Sequence, residues 1–222
     1  MREAAAVNAA AWNHQALSAG NPDGQTVGRL ELTQYPGHGP GIELLGDVKG
    51  LRVVELGCGR GHNLAALAAA GAYCVGVDIA AEQIRWARAA WPHINFYAAD
   101  ALDYLADAPP ADLYLSIFGA VGLCEPGLLL RVLATTLHPQ ARLIFATPDP
   151  GWLADRSGWL SSPGGRQFPV RRWPLTLPQW LGQIEEAGLM ACGHLVVDQP
   201  GTQQPCTMIV TVERRPAGGR PC

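Results

Sequence analysis

Apolar and polar positions change rhythm several times along the middle of this chain, and each change marks an element. Val53-Val54-Glu55-Leu56 is a short, nearly continuous apolar run. It breaks into Gly57-Cys58-Gly59-Arg60-Gly61, and the alanine- and leucine-rich stretch from Asn63 to Gly71 follows at once. This order predicts a buried strand over 52–56, a tight loop and a helix over 63–70. The same alternation recurs as a strand over 73–78, a helix over 81–90, a short strand over 94–97, a strand over 112–118, a helix over 126–137 and a strand over 142–147. Strands that are apolar throughout and separated by helices predict a parallel sheet covered on both faces. Ligands of such sheets sit at the carboxyl ends of the strands. Glu55, Asp78, Asp100 and the segment Ser116–Phe118 all fall at those ends.

The flanks lack this rhythm. Residues 1–20 are alanine-rich and predict a helix with Trp12 on one face. Residues 21–50 are broken by Asn21-Pro-Asp-Gly24 and by Tyr35-Pro-Gly-His38-Gly-Pro-Gly41, with room for a short helix near Ile42. Residues 148–174 carry five prolines, a Gly164-Gly165 pair and Trp152, Trp159 and Trp173. That composition predicts an excursion from the sheet. Thr176-Leu-Pro-Gln179 reads as a capping box opening a helix that Gly188 stops. Strands over 194–198 and 207–212 close the chain, the last one antiparallel. The expected organisation is a helical and loop cover over 1–50, a binding domain over 51–213 with 148–174 as a lid-like insertion, and a disordered tail over 214–222.

Glycine suits the 57–61 loop because it tolerates positive φ and lets a ligand approach the backbone and the first helical N–H groups. The spacing is E-x-G-x-G-x-G rather than the dinucleotide fingerprint G-x-G-x-x-G. With Asp78 closing the second strand, the chain resembles the class I S-adenosylmethionine (SAM)-dependent methyltransferases. Glu55, Gly57, Gly59, Gly61 and Asp78 fill the family's motif positions without a gap. The Ser116–Val121 segment, His138-Pro139, Pro148 and the Leu177-Pro-x-Trp-Leu…Glu-Ala-Gly188 text are similar to the small-molecule branch akin to ubiquinone and menaquinone biosynthesis, common in bacterial secondary metabolism. The resemblance implies a Rossmann-like α/β fold with a seven-stranded, mostly parallel sheet in the order 3-2-1-4-5-7-6. It implies SAM as cofactor, S-adenosyl-L-homocysteine (SAH) as product, and in-line transfer of a methyl group. It places the methionine part on the loop through Gly57, Cys58, Gly59 and Gly61, its ammonium at Glu55, the ribose at Asp78 and the adenine between Ile79 and the Asp100-Ala101 pair. Ser116 and Phe118 would touch the methionine side or line the acceptor pocket.

Net charge is −3, which leaves no electrostatic footprint for nucleic acid. Lys49 is the only lysine and precedes the glycine loop, so the Tyr-x-x-x-Lys pair of a short-chain dehydrogenase cannot exist. A nicotinamide-dependent oxidoreductase and a non-catalytic methyltransferase-like protein stand as the alternatives. Six cysteines without a C-x-x-C pair fit reduced thiols in the cytoplasm. No apolar stretch reaches the ~20 residues that span a membrane. No histidine pair has metal-site spacing, and no metal is expected. The expected partner is a small, partly apolar or aromatic acceptor, bound by a monomer or homodimer. His38 is the candidate general base, and Trp12, Tyr35 and Trp152 are candidates for the acceptor pocket.

Overall fold

A computed structural model of the chain describes residues 2–19, 26–153, 158–162 and 164–215. The turn expected at 21–24 and the tail beyond 215 lie outside the described residues. The chain opens with helix α1 (Arg2–Ala19) and a 3-10 turn (Ile42–Leu44). Then come β1 (Arg52–Leu56), α2 (His62–Ala69), β2 (Tyr73–Asp78), α3 (Ala81–Ala90), β3 (Asn95–Ala98), α4 (Ala101–Asp107), β4 (Leu113–Ile117), the short α5 (Ala120–Leu123), α6 (Pro126–Thr136) and β5 (Arg142–Pro148). A short α7 (Pro150–Leu153) and a hairpin of β6 (Trp159–Ser161) and β7 (Gln167–Pro169) follow, before α8 (Leu177–Glu186), β8 (Leu189–Asp198) and β9 (Pro205–Arg214).

Seven strands form one sheet in the order β3-β2-β1-β4-β5-β9-β8. Strands β1 to β5 are mutually parallel, and β9 runs antiparallel to both neighbours. Counted within this sheet, that is the expected order 3-2-1-4-5-7-6, with the last strand reversed. Alternate residues serve opposite faces, as a period of two requires. Val53, Leu113, Leu115, Ile144 and Ile209 pack with residues of α2 and α3, including Leu64, Leu67 and Ile84. Val54, Tyr114, Phe145 and Val210 pack with residues of α4, α6 and α8, including Leu105, Leu133 and Trp180. Both faces are therefore dry, and the strands read as continuous apolar runs for that reason.

Three parts of the structure differ from expectation. The helix α4 opens at Asp100, whose Oδ1 accepts the Leu102 N–H at 2.8 Å. Seven residues over two turns carry too little periodicity to announce a helix. The excursion over 148–174 contains the β6–β7 hairpin, whose strands are three residues each and exposed at alternate positions. Strand β8 begins at Leu189, well before 194, because a register shift between Ala191 and Gly193 on an exposed edge strand erases the alternation that would have shown it. The capping box is present: Thr176 and Gln179 exchange bonds at the start of α8. Among the described residues, no helix is long and apolar enough to cross a membrane.

The loops after β1 and β4 meet at two glycines. A Cβ on Gly119 would stand 2.3 Å from the Leu56 carbonyl oxygen and 3.0 Å from Gly57 Cα, all backbone that cannot step aside. Gly182, in α8, would meet nothing within 4 Å. Gly119→Ala is expected to lower stability in urea unfolding by about 1–3 kcal/mol, as overpacking does. Gly182→Ala is expected to raise it by up to about 1 kcal/mol through helix propensity. Equal effects at the two positions would contradict the close approach.

Candidate functional site

The glycine loop is stitched to the end of β2. The Val77 carbonyl accepts the N–H groups of Gly57 (2.7 Å) and Cys58 (3.0 Å), and Asp78 Oδ2 accepts that of Gly59 (2.8 Å). Asp78 Oδ1 accepts the Ala80 N–H at 2.8 Å and so shapes the entry to α3. Gly57, Gly59 and Gly61 all have positive φ, at 82°, 52° and 76°. They do different things. Gly57 yields to Gly119, Gly59 leaves open space where a side chain would stand, and Gly61 sits 2.6 Å from Phe96 measured from a built Cβ. Phe118, directly after β4, is the one non-glycine residue among those described with positive φ, at 52°. Such strain clusters at functional sites.

A cavity of about 800 Å³ lies over these strand ends. Glu55, Gly57, Cys58, Gly59, Asp78, Ile79, Asp100, Ala101 and Phe118 line it, and so does Trp12 from α1. Others of the expected site residues are elsewhere. Gly61 is a packing position at the N-cap of α2. Ser116 is fully buried; its Oγ donates to the Leu56 carbonyl and accepts from Val121 N–H, so it braces the loop after β4 from behind. His38 does not line the cavity. Its Nε2 lies 2.9 Å from the Asp198 carbonyl oxygen, and Thr33 Oγ1 bonds the carbonyls of Tyr35 and His38, which closes the Pro36–Pro40 turn against the end of β8. Tyr35 and Trp152 bond each other, Trp152 Nε1 donating to Tyr35 Oη at 3.1 Å, and neither lines the cavity. The structure therefore moves the general-base and acceptor-pocket expectations away from His38, Tyr35 and Trp152.

Several lining residues lie outside the expected set of site residues. His62 and Asn63 open α2, Gln83 reaches in from α3, and Trp173 comes from the excursion. Helix α1 presents Ala4, Ala5, Ala6, Asn8, Ala9 and Trp12, so Trp12, a candidate for the acceptor pocket, lines the cavity together with small neighbours outside that expectation. Asn8 is buried and ties this wall together: its Nδ2 donates to the carbonyls of Leu123 (3.1 Å) and Arg171 (3.0 Å), and its Oδ1 accepts the Arg171 N–H (2.8 Å). Asn13 Oδ1 accepts the Glu82 N–H in the first turn of α3, where Ala80 offers no side-chain cap. The ring of His14 stacks on Phe168 of β7 at 4.8 Å. The first helix and the excursion thus form one wall.

The electrostatics are those of carboxyl groups removed from water. Glu55 is 2% exposed; Asn63 Nδ2 donates to its Oε1 at 3.4 Å, and its Oε2 has no hydrogen-bond partner. Burial raises its pKa to about 8, with the Asn63 bond opposing and the Asp78 charge adding to the rise. Burial also raises Asp78, against the N–H bonds from Ala80 and Gly59. His62 moves the other way: partial burial, then the Arg60 charge, lowers its pKa and favours the neutral ring. The indole N–H of Trp12 and Gln83 Oε1 are further buried polar atoms without partners.

A proton held on Glu55 makes stability depend on pH. The folded chain keeps it up to about pH 8, whereas a solvated glutamate releases it near 4.5. The folded state binds more protons across that window, so stability falls as pH rises through it. Urea unfolding of the parent should lose stability between about pH 5.5 and about pH 8.5, and Glu55→Gln should lose clearly less over the same range. Identical slopes would show that Glu55 ionises normally.

Residues 53–140 match the family described as Methyltransferase domain. Over 107 residues the chain is 34% identical to demethylmenaquinone methyltransferase of Clavibacter sepedonicus, covering 46% of this chain and 44% of that protein. The chain thus matches less than half the length of that curated relative. Among solved structures, an S-adenosylmethionine-dependent methyltransferase from Mesorhizobium loti superposes with a TM-score of 0.60 at 23% identity, covering 78% of this chain and 94% of that one. The 1,6-didemethyltoxoflavin-N1-methyltransferase of Burkholderia thailandensis, solved with 1,6-didemethyltoxoflavin and S-adenosylhomocysteine, superposes with a TM-score of 0.53 at 18% identity, covering 78% and 74%. Residues 53–140 thus match a methyltransferase domain model, and the seven-stranded sheet has the fold of the S-adenosylmethionine-dependent methyltransferase on which it superposes.

Proposed function

We propose that the chain is a SAM-dependent methyltransferase that moves a methyl group to a small-molecule acceptor in bacterial secondary metabolism. One observation carries this reading above the others. Glu55 Oε2 is buried, unpartnered and at the wall of a cavity that also exposes the glycine loop. A lone buried carboxyl oxygen is costly unless a donor meets it. The α-ammonium of SAM is such a donor; its positive charge would favour the ionised carboxyl, so Glu55 would release its proton to solvent and form an ion pair. Asp78 spends one lone pair of each oxygen on backbone N–H groups and keeps others for the ribose hydroxyls. Ile79 and Ala101 offer apolar surface to the adenine, and Asp100 retains Oδ2 for its exocyclic amine after Oδ1 caps α4. Gly59, open on its cavity side, lets the methionine part lie on the backbone.

Bound in this way, SAM supplies an activated methyl group on a sulfonium; its transfer leaves SAH while the acceptor gives up a proton. The chain has three tasks: to hold the cofactor, to align the acceptor behind the methyl group and to keep water out. Alignment alone can supply ~7–11 kcal/mol of such a barrier. The α1 wall, with its alanines, Trp12 and the Asn8 tie to the excursion, serves the second and third tasks. Of residues 1–50 and 148–174, the described helix α1 and Trp173 reach the cavity and serve as its cover. The acceptor is small and partly apolar or aromatic, as Trp12 and Trp173 favour. The compounds named for the relatives, demethylmenaquinone and 1,6-didemethyltoxoflavin, support a small-molecule acceptor.

Isothermal titration is expected to give binding heat with SAM and with SAH and none with NAD. Tight NAD binding without heat from either adenosyl ligand would return the oxidoreductase reading. Asp78→Ala is expected to weaken SAM by ~1–3 kcal/mol, the cost of leaving buried hydroxyls without an acceptor. Parent-like affinity would remove Asp78 from the ribose. Saturation with SAH is expected to slow amide exchange in α1 and in residues 164–174 more than in the β8–β9 hairpin. A uniform change would mean these segments do not act as a cover.

A further inference from the structure

We infer that the cavity admits an uncharged or cationic acceptor and rejects an anionic one, with Asp103 and Glu125 as the side chains that impose the choice. The inference rests on the methyl-transfer reading of the same cavity. Five carboxyl side chains line it: Glu55, Asp78, Asp100, Asp103 and Glu125. Among its described lining residues there is no lysine and no arginine. Three of the five have cofactor roles in the reading above, and Asp103 and Glu125 have none. Both are exposed, Asp103 on α4 and Glu125 at the N-cap of α6, where its side chain makes no capping bond. Leu123, Leu128 and Trp173 line the same cavity.

The polar atoms left over point the same way. Gln83 is 6% exposed and lines the cavity, and its Oε1 has no hydrogen-bond partner. With Glu55 Oε2 given to the ammonium, the unpartnered buried polar atoms left on the described wall are the Gln83 acceptor and the Trp12 indole N–H donor. A ligand that brings N–H or O–H groups satisfies Gln83 Oε1, and a carboxylate, which only accepts, leaves it unsatisfied. A second cavity of about 450 Å³ shares Glu125 and Trp173 with the first, adds Glu186, and has no basic residue among its lining. A cleft lined by charges of one sign raises the local concentration of the opposite sign and lowers that of its own.

The test uses the whole chain saturated with SAH and three probes of one shape: benzylamine, benzyl alcohol and benzoate. Titration calorimetry is expected to show benzoate binding about tenfold or more weakly than benzylamine, the scale of one like-charge encounter replaced by an attraction. The double variant Asp103→Asn, Glu125→Gln is expected to narrow that gap by about threefold or more, with SAH titration confirming that it is folded. Benzoate binding as tightly as benzylamine, no binding of benzylamine, or an unchanged gap in the double variant would each overturn the inference. A parent chain that takes up no SAH would overturn the methyl-transfer reading instead.

Discussion

The bond from the Gly59 N–H to Asp78 Oδ2 is the contact on which the rest of the site depends. It joins the loop after the first strand to the carboxylate that ends the second. With the two N–H groups that converge on the Val77 carbonyl, it makes the loop an extension of the sheet rather than a free excursion. The loop cannot supply this rigidity itself, because its glycines are the least restrained residues a chain can use. The carboxylate restrains them from outside and, through Oδ1, starts α3 as well. Its cost is desolvation, visible in the upward shift of its pKa.

The sheet order explains why the cavity lies where it does. From β1 the chain winds outward through β2 to β3, then returns to place β4 on the other side of β1. The loops leaving β1 and β4 therefore diverge in direction, and the crevice between them is where ligands of such sheets bind. Here the crevice floor is as thin as a backbone can make it, with Gly57 against Gly119. The positive φ of Phe118 belongs to the same close approach, since the strand must turn sharply before Gly119 can pass under the first loop. Ser116 holds that turn by bonding both Leu56 and Val121.

The sheet was legible in the sequence because strands buried on both faces must be apolar throughout and the helices between them must carry a stripe. Strands β1 and β2 and helix α3 fall at their expected bounds. The glycine loop and Asp78 were legible for a different reason: their spacing is a backbone requirement, and few residues meet it. What escaped was either too short or decided at a distance. Helix α4 is two turns long, and β8 loses its alternation at a bulge. Gln83 reaches the cavity only because α3 and the strand ends converge there, and nothing local to the residue records that. His38 shows the converse. A histidine in a glycine- and proline-rich turn looks available for chemistry, but the turn is closed by Thr33 and docked on Asp198, away from the cavity.

The same physics ties the cover to the charge of the cavity. Carboxyl groups open to water, as Asp103 and Glu125 are, act through screened charge, whereas Glu55 stands on the dry side of the wall. Helix α1 brings small side chains and one indole against it, so the helix approaches closely and excludes solvent without adding charge. Asn8 makes that approach specific, because its amide fits two carbonyls and one N–H contributed by segments far apart in sequence. Burial then raises the pKa of Glu55 to about 8 and leaves Oε2 unpaired, an arrangement that is unfavourable alone and favourable once a cation arrives. Helix α1 and the buried carboxyls thus act together: the helix takes water away, and without water a charge on Glu55 or Asp78 is costly until a donor meets it.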